Sequence, residues 1–245
     1  MADTVKVAMI AALEREVRPL IKNWHATERE YEGRRFKFFE NGDAVLICGG
    51  IGAEAARRAT EAVIVLYQPE LVQSVGFAGG LDSTLNVGEV FSPSRVIDAR
   101  DGSSIEVNTG SGVLVSAAAV AGVEQKRKLA ESYRAQAVDM EAAAVARGAQ
   151  ARNVRFMALK AISDESDFAM PAMDRFVDRD GRFLSGSFIL FALFRPWLWQ
   201  RVIQLAANSR KASRALCVEV ERYVNATKKP GISGSELHPI SKALN

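Results

Sequence analysis

The sequence predicts a single-domain α/β fold in three layers (α/β/α), with a central mixed, mostly parallel sheet. Short apolar runs that fit buried strands alternate with helical patterns along most of the 245 residues, as in known α/β domains. No linker or internal repeat divides the chain, and 48% hydrophobic and 25% charged residues are typical of a globular protein. We expect the domain to cover residues 1–227, and residues 228–245, with two prolines and two glycines, to be a flexible tail.

The first elements follow from clear residue patterns. Val5–Ala11 is an apolar run that fits a strand buried on both faces. Leu13–Asn23 carries an apolar stripe with helical spacing, which places His25 just beyond the end of that helix. Asn41-Gly42-Asp43 is a hairpin signal. The elements predicted here are strand Val5–Ala11, helix Leu13–Asn23, strands Phe36–Glu40 and Ala44–Cys48, and helix Ala53–Tyr67.

The alternation continues through the second half. Gly76–Gly80 holds three glycines in five residues, which predicts a turn after the strand before it. Ala142–Gln150 consists mainly of strong helix formers. The elements predicted here are strands Leu71–Val75, Gly88–Val96, Gly112–Ser116, Arg134–Val138 and Phe156–Ile162, and helices Ala142–Gln150 and 203–224.

Composition excludes several classes of function. A net charge of +3 arises from 32 basic and 29 acidic residues that are well mixed, so no basic stripe for nucleic acid is present. Two histidines are too few for a histidine metal site, and we expect neither a metal nor an organic cofactor. Cys48 and Cys217 lie in apolar surroundings and are expected to be core thiols. Met1–Asp3 has no basic stretch of a signal peptide, so we expect a cytoplasmic protein.

One segment is unusually apolar. Phe188–Trp199 is interrupted by Arg195 and Pro196, and it is too short and broken to span a bilayer. We expect it to pack on the body of the protein or on a partner subunit, because an exposed apolar segment disfavours a monomer. Contact with a membrane surface through residues 188–205 is the less favoured alternative, since arginines and a lysine follow nearby.

A glycine motif at Gly50–Ala55 matches the dinucleotide pattern G-x-G-x-x-G/A between a strand and a helix. Glu70 falls near the expected acidic position, but it precedes the next strand rather than ending it. The pattern is short and common, so it does not establish a nicotinamide cofactor. A glycine at a helix start still exposes backbone amides to a ligand.

Three carboxylates follow predicted strands. Glu16 lies just after the first strand, Glu141 at a strand-to-helix junction, and Asp164 directly after Phe156–Ile162. Each could cap a helix or favour its dipole. Together they could also line one cleft, because open sheets present ligand-binding groups at the carboxyl ends of their strands. Two carboxylates in such a cleft suit glycosyl chemistry, in which one donates a proton to the leaving group and another deprotonates water. Asp139, by contrast, is expected to be structural.

Five motifs in order carry a resemblance to a known family. The chain resembles the purine nucleoside phosphorylase/uridine phosphorylase superfamily between about residues 5 and 168, and within it the 5′-methylthioadenosine/S-adenosylhomocysteine nucleosidases. That resemblance implies a phosphorylase/hydrolase-like fold and release of adenine from a nucleoside. The motifs are ALEREV (12–17), GGIGAEAA (49–56), GFAGGL (76–81), AVDMEAAAVA (137–146) and KAISDESD (160–167).

The resemblance also implies roles for individual residues. Glu16 matches the glutamate that activates the attacking water, and Asp164 matches the aspartate that protonates adenine. Met140 and Glu141 match the pair that lines the ribose, and Ile51 and Gly52 would approach it. The remaining substrate-binding residues it implies are Val120 and Ala121, whose backbone would contact adenine, and Phe77, Ala78 and Gly79 near Asp164.

Some residues depart from the family pattern. Phe77 stands where phosphorylases commonly have a hydroxyl that helps to hold phosphate, and the charge of Glu16 would repel phosphate. Hydrolysis is therefore favoured over phosphorolysis, the alternative. A second alternative is a nucleoside-binding or membrane-associated protein without catalysis. Family members are dimers or hexamers, which implies a homodimer or higher oligomer here. The insertion Asp167–Met173 is expected to form a lid or to accommodate a longer 5′ substituent.

Overall fold

The computed structural model describes residues 5–107, 109–169, 176, 178, 181, 183–184 and 195–227. These residues form eleven strands and five helices. The strands are β1 Val7–Ala11, β2 His25–Tyr31, β3 Arg34–Asn41, β4 Ala44–Cys48, β5 Leu71–Gly80, β6 Val90–Phe91, β7 Arg95–Asp98, β8 Ser104–Glu106, β9 Val113–Ser116, β10 Ala137–Asp139 and β11 Arg155–Asp164. The helices are α1 Glu14–Ile21, α2 Ala53–Tyr67, α3 Val123–Tyr133, α4 Ala142–Ala151 and α5 Pro196–Thr227.

The strands form one mixed sheet, as the sequence predicts. At its centre, β1 and β11 both pair in parallel with β5. Beyond β1 lie β4, which is parallel to it, and the antiparallel strands β3 and β2. The last two residues of β5 pair with β10, which leads to β9, β7 and β8. Because the three central strands are parallel, their carboxyl ends meet at one edge of the sheet.

Helices cover both faces of this sheet, which confirms the three-layer α/β/α prediction. On β1, Val7 and Met9 face a core that includes residues of α1 and α5, whereas Ala8 and Ile10 face the core under α2 and α4. Every residue of β1 is buried. Alternate residues of a strand point to opposite faces, so an entirely apolar strand indicates a sheet covered on both sides.

Two predictions for the middle of the chain are wrong. Gly76–Gly80 is not a turn, because β5 continues through it to Gly80. Gly88–Val96 is not one strand but the two short strands β6 and β7. Pro93 lies between them, and proline cannot donate the backbone hydrogen bond that a continuous strand requires.

Polar elements escaped the sequence patterns. His25 lies beyond the end of α1, as predicted, but it begins β2, a largely exposed strand without an apolar face that the sequence did not predict. Helix α3 buries only Lys126 and Leu129, so its apolar stripe is too short to recognise. Helix α5 begins at Pro196, before the predicted residue 203. The residues of β2 and α3 show no hydrophobic periodicity that would predict them, so these two elements depend on packing against the rest of the protein.

Several predicted features fall beyond the described residues. These are the tail 228–245, residues 188–194 of the apolar segment, and residues 170–173 of the insertion. Within the part of the chain that the structure describes, no helix is both long enough and apolar enough to cross a membrane. Cys217 is buried and Cys48 is half-buried, and both are free thiols.

Candidate active site

The three carboxylates follow β1, β10 and β11, the three strands that pair with β5. Glu16 is in the first turn of α1, directly after β1, and Glu141 is the residue before α4, directly after β10. Asp164 is the last residue of β11. β1 and β11 run parallel to β5, and the antiparallel strand β10 pairs with the last two residues of β5, so all three positions lie at the carboxyl end of β5. The strand topology thus brings together the three carboxylates that the sequence suggested could line one cleft.

Two glycines of β5 make room for these carboxylates. A Cβ atom at Gly76 would lie 2.9 Å from Oε2 of Glu16, and one at Gly79 would lie 3.0 Å from Oδ2 of Asp164. Gly76 also has a φ of +151°, which residues with a side chain rarely adopt. The glycine-rich stretch is therefore a strand against which carboxylates pack, which explains why its composition resembles a turn.

Glu16 is a buried carboxylate with an oxygen that lacks a partner. Its residue is 6% exposed, and Oε2 has no hydrogen-bond partner among the residues that the structure describes. Burial, followed by the negative charge of Glu141, raises the pKa of Glu16 to about 7, although the positive charge of Lys160 opposes the increase. A carboxylate with a pKa near neutrality can accept a proton and release it again at physiological pH. Glu16 is therefore equipped to act as a general base.

Glu141 is held by backbone amides at the start of two helices. Its Oε1 accepts a hydrogen bond from the Gly52 amide at 2.8 Å, and its Oε2 accepts one from the Met140 amide at 3.3 Å. Burial and the charge of Asp139 raise the pKa of Glu141 to about 7, against the effect of Lys160 and of these amides. The structure thus brings Gly52, Met140 and Glu141 together, although Gly52 and Glu141 are far apart in the sequence.

A buried lysine organises the region between Glu16 and Glu141. Lys160 lies on β11, and its Nζ is 2.9 Å from Oδ2 of Asp139 and 3.0 Å from Oγ of Ser74. Burial opposes the charged form of Lys160, but the neighbouring carboxylates Asp139, Glu141 and Glu16 raise its pKa overall. The ammonium therefore holds a fixed positive charge beside the two titrating glutamates.

Asp139 has a structural role in this network. Its Oδ2 accepts a hydrogen bond from the Ala142 amide at 2.9 Å, which caps the start of α4. Its Oδ1 accepts one from Oγ of Ser116 at 2.5 Å, and the Ala143 amide in turn donates to that hydroxyl oxygen at 2.9 Å. Both carboxylate oxygens are thus occupied by protein groups. Asp139 thereby anchors Lys160 and the start of α4.

Asp164 is buried in a second ion pair. Its Oδ2 lies 2.5 Å from Nζ of Lys126, and its Oδ1 accepts a hydrogen bond from Oγ of Ser163 at 2.6 Å. Lys126 also donates to the carbonyl oxygen of Glu165 at 2.5 Å. These contacts fix the carboxylate of Asp164 against β5 at Gly79, which lies opposite it in the strand register.

The other residues implied by the resemblance lie around this edge with different exposures. Phe77 is half-buried and packs on the central core, whereas the side chain of Ala78 is buried. Ala121 packs in a separate core cluster, so only its backbone could face a ligand. Val120 precedes it in the loop before α3 and is half-buried. The Ile51 amide donates to the carbonyl oxygen of Gly181 at 2.7 Å, so Gly181 lies against the glycine-rich residues before α2.

Sequence reasoning gave no role to Lys126 or Lys160. A signal existed for Lys160, because it is a lone lysine within the apolar run FMALKAI. A lysine in a buried strand must be paired, and Asp139 was an available acid. Lys126 gave no signal, because it lies among other charged residues in a polar helix.

Known proteins share the sequence pattern and the fold of this chain. A family model described as "Phosphorylase superfamily" matches residues 6–119 and 100–184. A 5′-methylthioadenosine/S-adenosylhomocysteine nucleosidase from Glaesserella parasuis is 28% identical over 201 residues, which cover 66% of this chain and 87% of that protein.

Two solved structures share the fold. The 5′-methylthioadenosine nucleosidase of Arabidopsis thaliana in its apo form aligns with a TM-score of 0.71 and 19% identity. The alignment covers 95% of this chain and 98% of the Arabidopsis chain. The futalosine hydrolase of Helicobacter pylori has a TM-score of 0.67 and 18% identity, with 91% and 98% covered. Because the family model spans well over half of the sequence, the chain belongs to the phosphorylase superfamily.

Proposed function

We propose that the protein is a nucleosidase that hydrolyses the N-glycosidic bond of 5′-substituted adenosines, of the methylthioadenosine or S-adenosylhomocysteine type, and releases adenine. The observation that carries this proposal is Glu16, a buried carboxylate with an unpartnered oxygen and a pKa raised to about 7. The nucleosidase from Glaesserella parasuis supports the substrate class.

Hydrolysis needs a base for water, and Glu16 suits that role. As the bond between adenine and ribose breaks, positive charge develops on the sugar ring, and water attacks its anomeric carbon. Oε2 of Glu16 takes a proton from that water. A base with a pKa near the working pH is efficient, because it is both ionised and able to hold the proton.

Glu141 and Asp164 would serve the two halves of the substrate. The carboxylate of Glu141 accepts hydrogen bonds from the ribose hydroxyls, and its charge stabilises the developing positive charge. Met140, Ile51 and Gly52 lie beside it. Asp164 passes a proton to the imidazole ring of adenine, since adenine leaves poorly as an anion.

Phosphorolysis is the competing reaction within the family. A phosphate nucleophile would have to occupy the space in front of Glu16, where a carboxylate repels it. Phe77 on β5 offers no hydroxyl to hold phosphate. We therefore propose water as the nucleophile. The second alternative is a protein that binds nucleosides without turnover. Binding alone needs no general base, so this alternative does not account for the raised pKa of Glu16.

One assay separates these functions. The purified chain is incubated with methylthioadenosine, S-adenosylhomocysteine, adenosine and futalosine, each with and without phosphate, and the released base and sugar are quantified. We expect adenine and a free 5-substituted ribose at a rate independent of phosphate. Formation of a ribose 1-phosphate would show a phosphorylase. Calorimetric binding without release of base would show a non-catalytic protein.

We further propose a cytoplasmic homo-oligomer. The free thiols of Cys48 and Cys217 suit a reducing compartment. Helix α5 exposes 47% of Trp199, 68% of Ile203 and 51% of Val218, and apolar side chains of this size favour burial against a partner. Sedimentation velocity tests the assembly, and a monomer at micromolar concentration would contradict it.

A further inference from the structure

Lys126 occupies an unusual place for a lysine. It is 1% exposed, although it belongs to α3, a helix whose other charged residues lie at the surface. Lysine is rarely buried to this extent unless it is paired, because removing its charge from water is costly. Its partner is Asp164, itself 2% exposed, at a distance of 2.5 Å from Nζ to Oδ2.

The geometry brings the pair directly against the active-site strand. A Cβ atom at Gly79 would lie 3.2 Å from Cε of Lys126, 3.4 Å from its Nζ and 3.0 Å from Oδ2 of Asp164. The glycine thus admits the lysine and the carboxylate together. Lys126 also donates to the carbonyl oxygen of Glu165, so two of its three donor positions hold it at the end of β11.

This arrangement bears on how Asp164 obtains its proton. Both of its oxygens accept hydrogen bonds, one from Ser163 and one from the Lys126 ammonium. A general acid must receive a new proton for each one that it passes to a departing base. The ammonium 2.5 Å away is a proton source in direct contact.

We propose that Lys126 is a positioning residue for Asp164 and supplies, through it, the proton that the departing base takes. As the glycosidic bond breaks, the Lys126 ammonium gives a proton to the Asp164 carboxylate and becomes a neutral amine, and the protonated Asp164 passes a proton to the base nitrogen and returns to the anion. Water adds to the sugar and gives a proton to Glu16. After the products leave, the proton on Glu16 passes to solvent and Lys126 regains one. The net reaction is nucleoside plus water to base plus sugar.

This inference rests on the proposed nucleosidase function, and leaving groups of different basicity test it. Adenine needs a proton to leave, whereas 4-nitrophenolate leaves as a stable anion. The substrates are methylthioadenosine and 4-nitrophenyl 5-methylthio-β-D-ribofuranoside. The variants are Lys126→Gln, which keeps an N–H donor without a charge, Lys126→Met, and the conservative Lys126→Arg. Lys128→Met, an exposed position of the same helix, is the matched control.

For Lys126→Gln we expect kcat on methylthioadenosine to fall by about 100-fold or more. KM should change little, kcat on the nitrophenyl riboside should fall less than about threefold, and Lys126→Arg should recover part of the loss. Thermal unfolding shows which variants are folded. If Lys126→Met does not fold, Lys126→Gln still tests the inference, because its amide keeps an N–H donor toward Asp164. Equal losses on both substrates, or no loss on either, would overturn the inference and leave the nucleosidase function standing. If the wild-type protein releases no base from any nucleoside, both proposals fail.

Discussion

Replacing Glu16 with glutamine should abolish catalysis and stabilise the fold at the same time. Burial and the charge of Glu141 raise the pKa of Glu16 from 4.5 to about 7. Below pH 4.5 the residue is neutral in the folded and unfolded chains. Between pH 4.5 and 7 the folded protein retains a proton that the unfolded chain has released, so stability falls as the pH rises. Above about pH 7 the full cost of the buried charge is present.

The size of this cost follows from the pKa. One pKa unit corresponds to about 1.36 kcal/mol, so the ionised Glu16 costs the folded protein about 3 kcal/mol above neutral pH. Glutamine has the same shape and no charge. We therefore expect Glu16→Gln to raise the free energy of unfolding by up to about 3 kcal/mol at pH 8 and by about zero at pH 4.

Urea denaturation at the two pH values measures the difference, and adenine release measures the loss of activity, expected to be at least about 100-fold. Glu14→Gln is the matched control, because Glu14 begins the same helix with its side chain about half exposed. It should change neither quantity appreciably. Two results would contradict this prediction. One is a gain in the free energy of unfolding over the wild type that is no larger at pH 8 than at pH 4, and the other is wild-type turnover by Glu16→Gln.

Three further results are expected. Gly76→Ala would place a Cβ atom 2.9 Å from Oε2 of Glu16, so kcat should fall about 100-fold. The control Gly33→Ala, with no atom within 4 Å of its Cβ, should retain full activity. Equal activities of the two variants would contradict the packing of Glu16 against Gly76. Because Glu16 must be ionised to act, kcat/KM should rise as the pH increases through about 7, and a flat profile from pH 5 to 8 would contradict its role. Lys160→Met removes the charge that lowers the pKa of both glutamates, so the rise in kcat/KM should move to higher pH. Urea denaturation should show a free energy of unfolding lower by about 3–5 kcal/mol, because Asp139 loses its ion-pair partner. An unchanged pH profile would show that Lys160 does not act on the two glutamates.

The parts of the fold that were predictable are those whose own residues require burial. Val7–Ala11 is apolar throughout and Phe156–Ile162 is apolar except for Lys160, so both were predictable as buried strands. The exposed strand β2 and the polar helix α3 carry no such pattern, since they depend on neighbours for their stability. Gly76–Gly80 shows a second limit, because glycine indicates either a turn or close packing, and only the tertiary structure decides which.

The site follows the same division. Glu16, Glu141 and Asp164 could be selected because each follows a predicted strand. The carboxyl ends of the parallel strands β1 and β11 bring Glu16 and Asp164 to one edge, whereas Glu141 reaches it because the antiparallel strand β10 pairs with the end of β5. Their partners could not be selected, because an ion pair such as Lys126 with Asp164 joins elements that are distant in the sequence. The raised pKa of Glu16 likewise depends on burial and on Glu141, neither of which the local sequence contains.

The central claim is that water, activated by Glu16, attacks the ribose of a 5′-substituted adenosine. Turnover of methylthioadenosine in ¹⁸O-labelled water with phosphate present, followed by mass spectrometry of the sugar, tests it most directly. We expect one ¹⁸O atom in a free 5-methylthioribose, together with adenine, and no sugar phosphate. A 5-methylthioribose 1-phosphate without the label would contradict it.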